Sequence, residues 1–121
     1  MTKTVMTVDD SPSIRRMIAM TLTDAGYRVV EAVDGRDALG KATSERFDAI
    51  ITDQNMPNLD GLGFIRELRK HPSGAGVPII VLSTDSEETL KQQAREAGAL
   101  GWMVKPFSQD KLLAVIRKVL G

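Results

Sequence analysis

The sequence predicts an α/β fold built on a parallel sheet. Three observations carry that expectation. Short apolar runs rich in β-branched residues recur five times, and segments with helical periodicity lie between them. The first, third and fourth runs are also apolar nearly throughout, as parallel strands covered on both faces are.

The elements follow in chain order. Thr4–Val8 is the first expected strand. Ser11 then stands where an N-cap belongs, with Pro12 at the first helical position. Ile14, Met17, Ile18, Leu22 and Ala25 form one apolar stripe, and Gly26 closes that helix. Arg28–Ala32 is the second expected strand, and Gly35–Ser44 a short, less apolar second helix. The third strand covers Ala49–Thr52. A third helix is expected over Gly61–Lys70, capped by Asp60, with Phe64, Ile65 and Leu68 inward and Pro72 as a stop. "HPSGAGVP" (71–78) reads as a flexible surface loop, and the apolar run Val77–Leu82 as the fourth strand. The fourth helix, from about Ser86 to Ala97, has a thin apolar face of Leu90, Ala94 and Ala97, and a weakly anchored helix is easily shifted. Gly101–Val104 is the fifth strand. A fifth helix begins after Ser108 and turns Leu112, Leu113, Ile116, Val119 and Leu120 inward.

Composition narrows the function. A chain of 121 residues is expected to form one domain, spanning 1–121, and can bury a real core. Cysteine is absent, which excludes a disulfide framework and thiolate metal sites. Lys+Arg and Asp+Glu both number 16, so no basic footprint for nucleic acid exists. No apolar run approaches the roughly 18 residues of a membrane span. The opening "MTKTV" lacks the apolar stretch of a signal peptide. The expectation is a soluble cytoplasmic protein that binds neither nucleic acid nor membrane.

The chemistry lies at the strand ends, because ligands of open parallel sheets sit outside the carboxyl edge. Strand one ends in Asp9 and Asp10, strand three in Asp53, strand four in Ser83 and Thr84, and strand five in Lys105. Two adjacent carboxylates repel unless something cationic offsets them. Clustered carboxylates suit a hard cation, and Mg²⁺ takes one or two of them plus waters and phosphate oxygens. A lysine and a hydroxyl opposite would cradle a phosphoryl group, and the carboxylate between them can act as nucleophile to give an aspartyl-phosphate. Each residue also has an ordinary reading. Asp53 is a turn residue, Ser83 and Thr84 a helix cap, Asp9 and Asp10 the cap of the first helix, Lys105 a surface charge. Together those readings need four coincidences on one rim. Other motifs fail: His71 has no partner at ligand spacing, "GLGFIR" (61–66) has Arg66 where a dinucleotide fingerprint needs glycine, no P-loop exists, and the six methionines are scattered as core filler.

The stretches "VDDS" (8–11), "TDQNMPNLDG" (52–61), "VLST" (81–84) and "VKPF" (104–107) carry a resemblance over essentially the whole chain. It resembles a response-regulator receiver domain, most closely a stand-alone chemotaxis receiver of the CheY type. The resemblance implies a doubly wound, flavodoxin-like fold: a five-stranded parallel sheet of order 2-1-3-4-5 with five helices. It implies Asp53 as phosphoacceptor. Mg²⁺ would be held by Asp10, Asp53 and the backbone carbonyl of Asn55, with Asp9 helping directly or through water. Ser83 matches the switch hydroxyl, and Lys105 the lysine that pairs with the phosphate, joined to Pro106 by a cis bond. Trp102 stands at the aromatic switch position, where Tyr or Phe is more usual, and Thr84 where Ala or Gly is common. Strand alternation puts Trp102 and Lys105 on opposite sides, so the ring would respond through Ser83.

The implied function is a signalling switch, not an enzyme, that assists its own phosphoryl transfer and dephosphorylation. A sensor histidine kinase of the chemotaxis type would phosphorylate a monomer. Output would be protein binding through helix four, strand five and helix five, at the flagellar motor switch protein or another target. A phosphate sink or relay intermediate is the alternative within the family. From another class, a Mg²⁺-dependent phosphatase of the haloacid-dehalogenase type would want Asp-x-Asp after strand one. A flavin mononucleotide carrier would want a Ser/Thr/Gly-rich loop where this chain has "DDSPSIRR".

Overall fold

The computed structural model describes residues 2–120. Strands β1 (Thr4–Val8), β2 (Arg28–Ala32), β3 (Ala49–Asp53), β4 (Ile79–Ser83) and β5 (Gly101–Val104) alternate with helices α1 (Pro12–Asp24), α2 (Gly35–Ser44), α3 (Gly61–Arg69), α4 (Glu88–Ala97) and α5 (Gln109–Leu120). All strands pair in parallel, in the order β2-β1-β3-β4-β5 expected from the resemblance.

Strand alternation splits the core into two layers. Met6, Val8, Ile50, Ile79 and Val81 pack with Phe64, Ile65 and Leu68 of α3, Ala38 and Ala42 of α2 and Ala94 of α4. Val5, Ile51, Ile80, Leu82 and Met103 pack on the other face against Ile18 and Leu22 of α1 and Leu112 and Ile116 of α5. Of the α1 stripe only Ala25 fails to face inward; it is the exposed C-cap, followed by Gly26 at φ 100°. Only Ala94 of α4 is fully buried, so the thin apolar face expected there is what the fold contains.

The ends of β3, β4 and α3 fall within one residue of expectation, and two element starts and one loop differ further, each for a local reason. β4 begins at Ile79, because Pro78 has no N–H to donate to a ladder; its carbonyl instead accepts from Ile50 at 2.9 Å. α4 begins at Glu88, because the Asp85 side chain accepts the Glu87 N–H at 2.9 Å and leaves Glu87 extended. The 71–78 segment is not simply a surface loop: Pro72–Gly74 makes a 3-10 turn that buries Gly74 against Leu68. Among the described residues no helix is long and apolar enough to cross a membrane.

Candidate functional site

Register places the polar strand ends together. Val8 pairs with Thr52, Asp53 with Leu82, and Ser83 with Val104, so β1, β3, β4 and β5 bring the residues at or just past their carboxyl ends to the same rim. Beyond Val8 the chain turns into α1. Ser11 caps that helix with a long, 3.5 Å bond from the Ile14 N–H. Neither aspartate is the cap. Asp9 is buried, and its Oδ1 accepts from the Ser11 N–H at 2.9 Å. Asp10 is exposed.

Lys105 lies one residue past β5, fixed by its own N–H donating to the Ser83 carbonyl at 2.8 Å. Its peptide bond to Pro106 is cis. Its Nζ stands 3.2 Å from Asp9 Oδ2 and 3.1 Å from Asp53 Oδ1. The ammonium therefore bridges two buried acids from two different strands. Asp53 Oδ1 also accepts the Gln54 N–H at 2.9 Å. Burial pushes the Asp53 carboxyl above its ordinary value, the charge of Asp9 pushes the same way, and Lys105 pulls it back.

One carboxylate oxygen each from Asp9, Asp10 and Asp53 lies within 4.8 Å of the others. Three hard oxygen donors, one of them open to water, fit a divalent cation such as Mg²⁺, which keeps several waters and needs few carboxylates. Asn55 follows two residues after Asp53 in the exposed part of the β3–α3 loop. Ser83 is buried at the end of β4, its hydroxyl accepting the Asp85 N–H at 3.0 Å. Thr84 is exposed. Trp102 is half-buried on the α2–α3–α4 face, while Met103 beside it joins the opposite layer. Its indole N–H donates to the Asp85 carbonyl at 3.0 Å.

A model of the response regulator receiver domain matches residues 5–117. The chain belongs to the response regulator receiver family. A receiver is a phosphorylation-dependent signalling switch and not a classical enzyme. Chemotaxis protein CheY4 of Vibrio cholerae superposes on this receiver with a TM-score of 0.95 at 45% identity, covering 99% of this chain and 100% of that one. The receiver domain of the sensor histidine kinase PA1611 of Pseudomonas aeruginosa, which holds a magnesium ion in its active-site cleft, gives 0.91 at 31% identity, over 100% and 99%. A probable transcriptional regulator, ycf27 of Porphyridium aerugineum, is 40% identical over 96% of this chain and 47% of its own length. This receiver spans about half the length of such curated relatives.

Several residues around the receiver rim escaped the sequence reading. Arg15, one turn into α1, donates from Nη1 to the Asp9 carbonyl at 2.7 Å and from Nε to Glu31 at 3.0 Å. Gln54 is buried, and its Oε1 accepts the Leu62 N–H at 2.9 Å, tying the start of α3 to the end of β3. Asp85 joins Ser83 to Trp102 through its two backbone groups. Nothing in residue type or spacing marks these partners, because all but the Arg15–Glu31 pair join a backbone group to a side chain, and every one is brought close by the fold.

Proposed function

We propose that Asp53 of this receiver accepts a phosphoryl group from the phosphohistidine of a sensor histidine kinase. One observation carries the reading: a buried carboxylate, flanked by a lysine ammonium at 3.1 Å, shares its rim with two more carboxylates. In the transfer, an Asp53 oxygen forms the new P–O bond while the P–N bond to the imidazole breaks, its electron pair returning to nitrogen. Lys105 is placed to follow the charge from the carboxylate to the phosphoryl oxygens. Asp9 is held by Lys105 and the Ser11 N–H and contributes charge from a fixed position. Mg²⁺, when held by Asp10, Asp53 and the Asn55 carbonyl with Asp9 behind them, would supply the remaining charge neutralisation. Ser83 is the hydroxyl that would meet the phosphoryl group, and Trp102 would follow it through Asp85.

The finer reading is a monomeric chemotaxis receiver. Its kinase would be of the chemotaxis type, and its output surface would be α4, β5 and α5, directed at the flagellar motor switch. The 45% identity and TM-score of 0.95 to a chemotaxis protein support this. A phosphate sink or relay is the second reading. Incubation with Mg²⁺ and acetyl phosphate should add one base-labile phosphoryl group, and Asp53→Asn should remove it. Undiminished labelling of that variant defeats the assignment. Binding of flagellar switch components by the phosphorylated form alone separates effector from sink.

A further inference from the structure

The loop between β3 and α3 carries Asn55, whose backbone carbonyl is the one donor in the proposed cation set that no rotamer can aim. Its direction depends on how the whole loop is held. At the near end the loop is pinned by Gln54, whose carbonyl accepts the Gly61 N–H at 3.0 Å and whose N–H reaches the Leu82 carbonyl at 3.0 Å. At the far end the restraint comes from a different element. Asn58 sits at φ 69°, the only non-glycine residue with positive φ among the described residues. Asparagine tolerates that left-handed conformation better than most side chains. Its Nδ2 donates to Asp34 Oδ2 at 2.7 Å. Next to it the Gly35 N–H donates to the Leu59 carbonyl at 3.1 Å, and a Cβ on Gly35 would collide with that carbonyl.

Asp34 is also the N-cap of α2, its Oδ1 accepting the Asp37 N–H at 2.8 Å. One carboxylate therefore ends a helix and holds a loop, with a separate oxygen for each. The Asp37 N–H and then the Asn58 amide hold its carboxyl below the ordinary value, so it is ionised at neutral pH and its bond to Asn58 is charge-assisted.

We propose that Asp34 and Asn58 are positioning residues for the cation and phosphoryl site, locking the Asn55 loop to the N-terminus of α2. The inference rests on the reading of the Asn55 carbonyl as a cation ligand. Neither residue touches the cation; both act by keeping the loop in the conformation that can bind it. Loss of the latch lowers the competent fraction, and apparent affinity falls in proportion.

The test is a set of variants followed by Mg²⁺-dependent stabilisation against urea, which yields a dissociation constant without any phosphorylation. Asn58→Gly keeps the left-handed backbone accessible and removes the amide. Asn58→Asp places a second carboxylate against Asp34. Both should weaken Mg²⁺ binding about tenfold, the lower end of what supporting contacts contribute at metal sites. Asp34→Asn combined with Asn58→Asp rebuilds the bond with donor and acceptor exchanged, and should restore affinity. Weakened singles with a restored double support the latch. Unchanged affinity in the singles overturns it, even if they melt earlier without metal, and so does a double variant as weak as Asn58→Asp. A wild type with no saturable Mg²⁺ response overturns the cation reading itself, and the latch with it. A wild type that binds Mg²⁺ beside unaffected variants overturns the latch alone.

Discussion

Replacing Lys105 by methionine keeps the aliphatic stem and removes the ammonium from between two acids. The three side chains are 14% (Lys105), 1% (Asp9) and 10% (Asp53) exposed, so solvent replaces little of what is lost. At about 3 Å and an effective dielectric of about 20, each contact has a gross attraction of about 5 kcal/mol. Most of that is offset by desolvation of the lysine, which the variant no longer needs. Removing one partner of a buried pair usually costs about 3–5 kcal/mol, and the exposed side of the rim favours the lower end. The expected loss without Mg²⁺ at about pH 7 is therefore about 3 kcal/mol, or roughly 10 °C in Tm for a chain of this size. The pH dependence has a definite sign. Burial already raises the Asp53 carboxyl in the folded state, and Lys105 is among the forces lowering it, so the variant raises it further. A raised carboxyl binds its proton more tightly when folded, so its stability contribution falls as pH rises from the unfolded value of about 3.9 through the folded one. The gap between variant and wild type should hence narrow as pH falls from about 7 towards about 4. Mg²⁺ should narrow it as well, and the variant should bind Mg²⁺ more tightly than wild type, since a competing cation has gone. Urea denaturation at several pH values, with and without Mg²⁺, measures all of this. A variant as stable as wild type without metal, or a gap independent of pH, refutes the bridging role of Lys105.

Thr7 is fully buried in β1, and its hydroxyl has no hydrogen-bond partner among the described residues. Thr7→Val should stabilise the fold by about 1 kcal/mol in urea denaturation, by removing an unsatisfied polar group of the same shape. Arg69 donates to the Gly74 and Gly98 carbonyls, both at 2.6 Å, and joins the turn after α3 to the end of α4. Arg69→Met should cost about 2 kcal/mol and increase hydrogen exchange in the last turn of α4. Mg²⁺ with beryllofluoride, a phosphoryl mimic, should change Trp102 emission and lower its quenching by acrylamide, and Ser83→Ala should weaken that response; identical spectra in both states remove Trp102 from the switch.

The elements were legible because their signals are local. Ser11-Pro12 and Asp60 mark helix starts by their own chemistry, and Asp60 does accept the Gly63 N–H at 2.7 Å. The five apolar runs mark strands, and the rule that ligands sit at strand ends was enough to gather Asp9, Asp10, Asp53 and Lys105. The strand order was not readable from periodicity; it came with the family resemblance. Pro78 and Asp85 moved two boundaries through single backbone bonds that an apolar pattern cannot register. The paired acids posed a charge problem for which the sequence offered a bound cation. The fold adds Lys105, within 3.2 Å of Asp9, and Arg15 against the Asp9 backbone. Alternation placed Trp102 and Lys105 on opposite sides, but gave no means of finding Asp85 as the indole's acceptor.

Asp9 and Lys105 lie 96 residues apart in the chain, yet their side chains meet. No stretch made only of the first four strands contains the cation that balances Asp9 and Asp53. During synthesis the acids emerge early and the lysine late, so an incomplete chain carries an uncompensated cluster at the edge of its sheet. Parallel pairing between distant segments is intrinsically slow, because loop closure comes before the contacts that reward it. Placing β5 is thus the step that brings the acids their internal counter-charge. The counter-charge between Asp9 and Asp53 is a product of the complete sheet, set in place by the last strand and not by the segments that carry the acids.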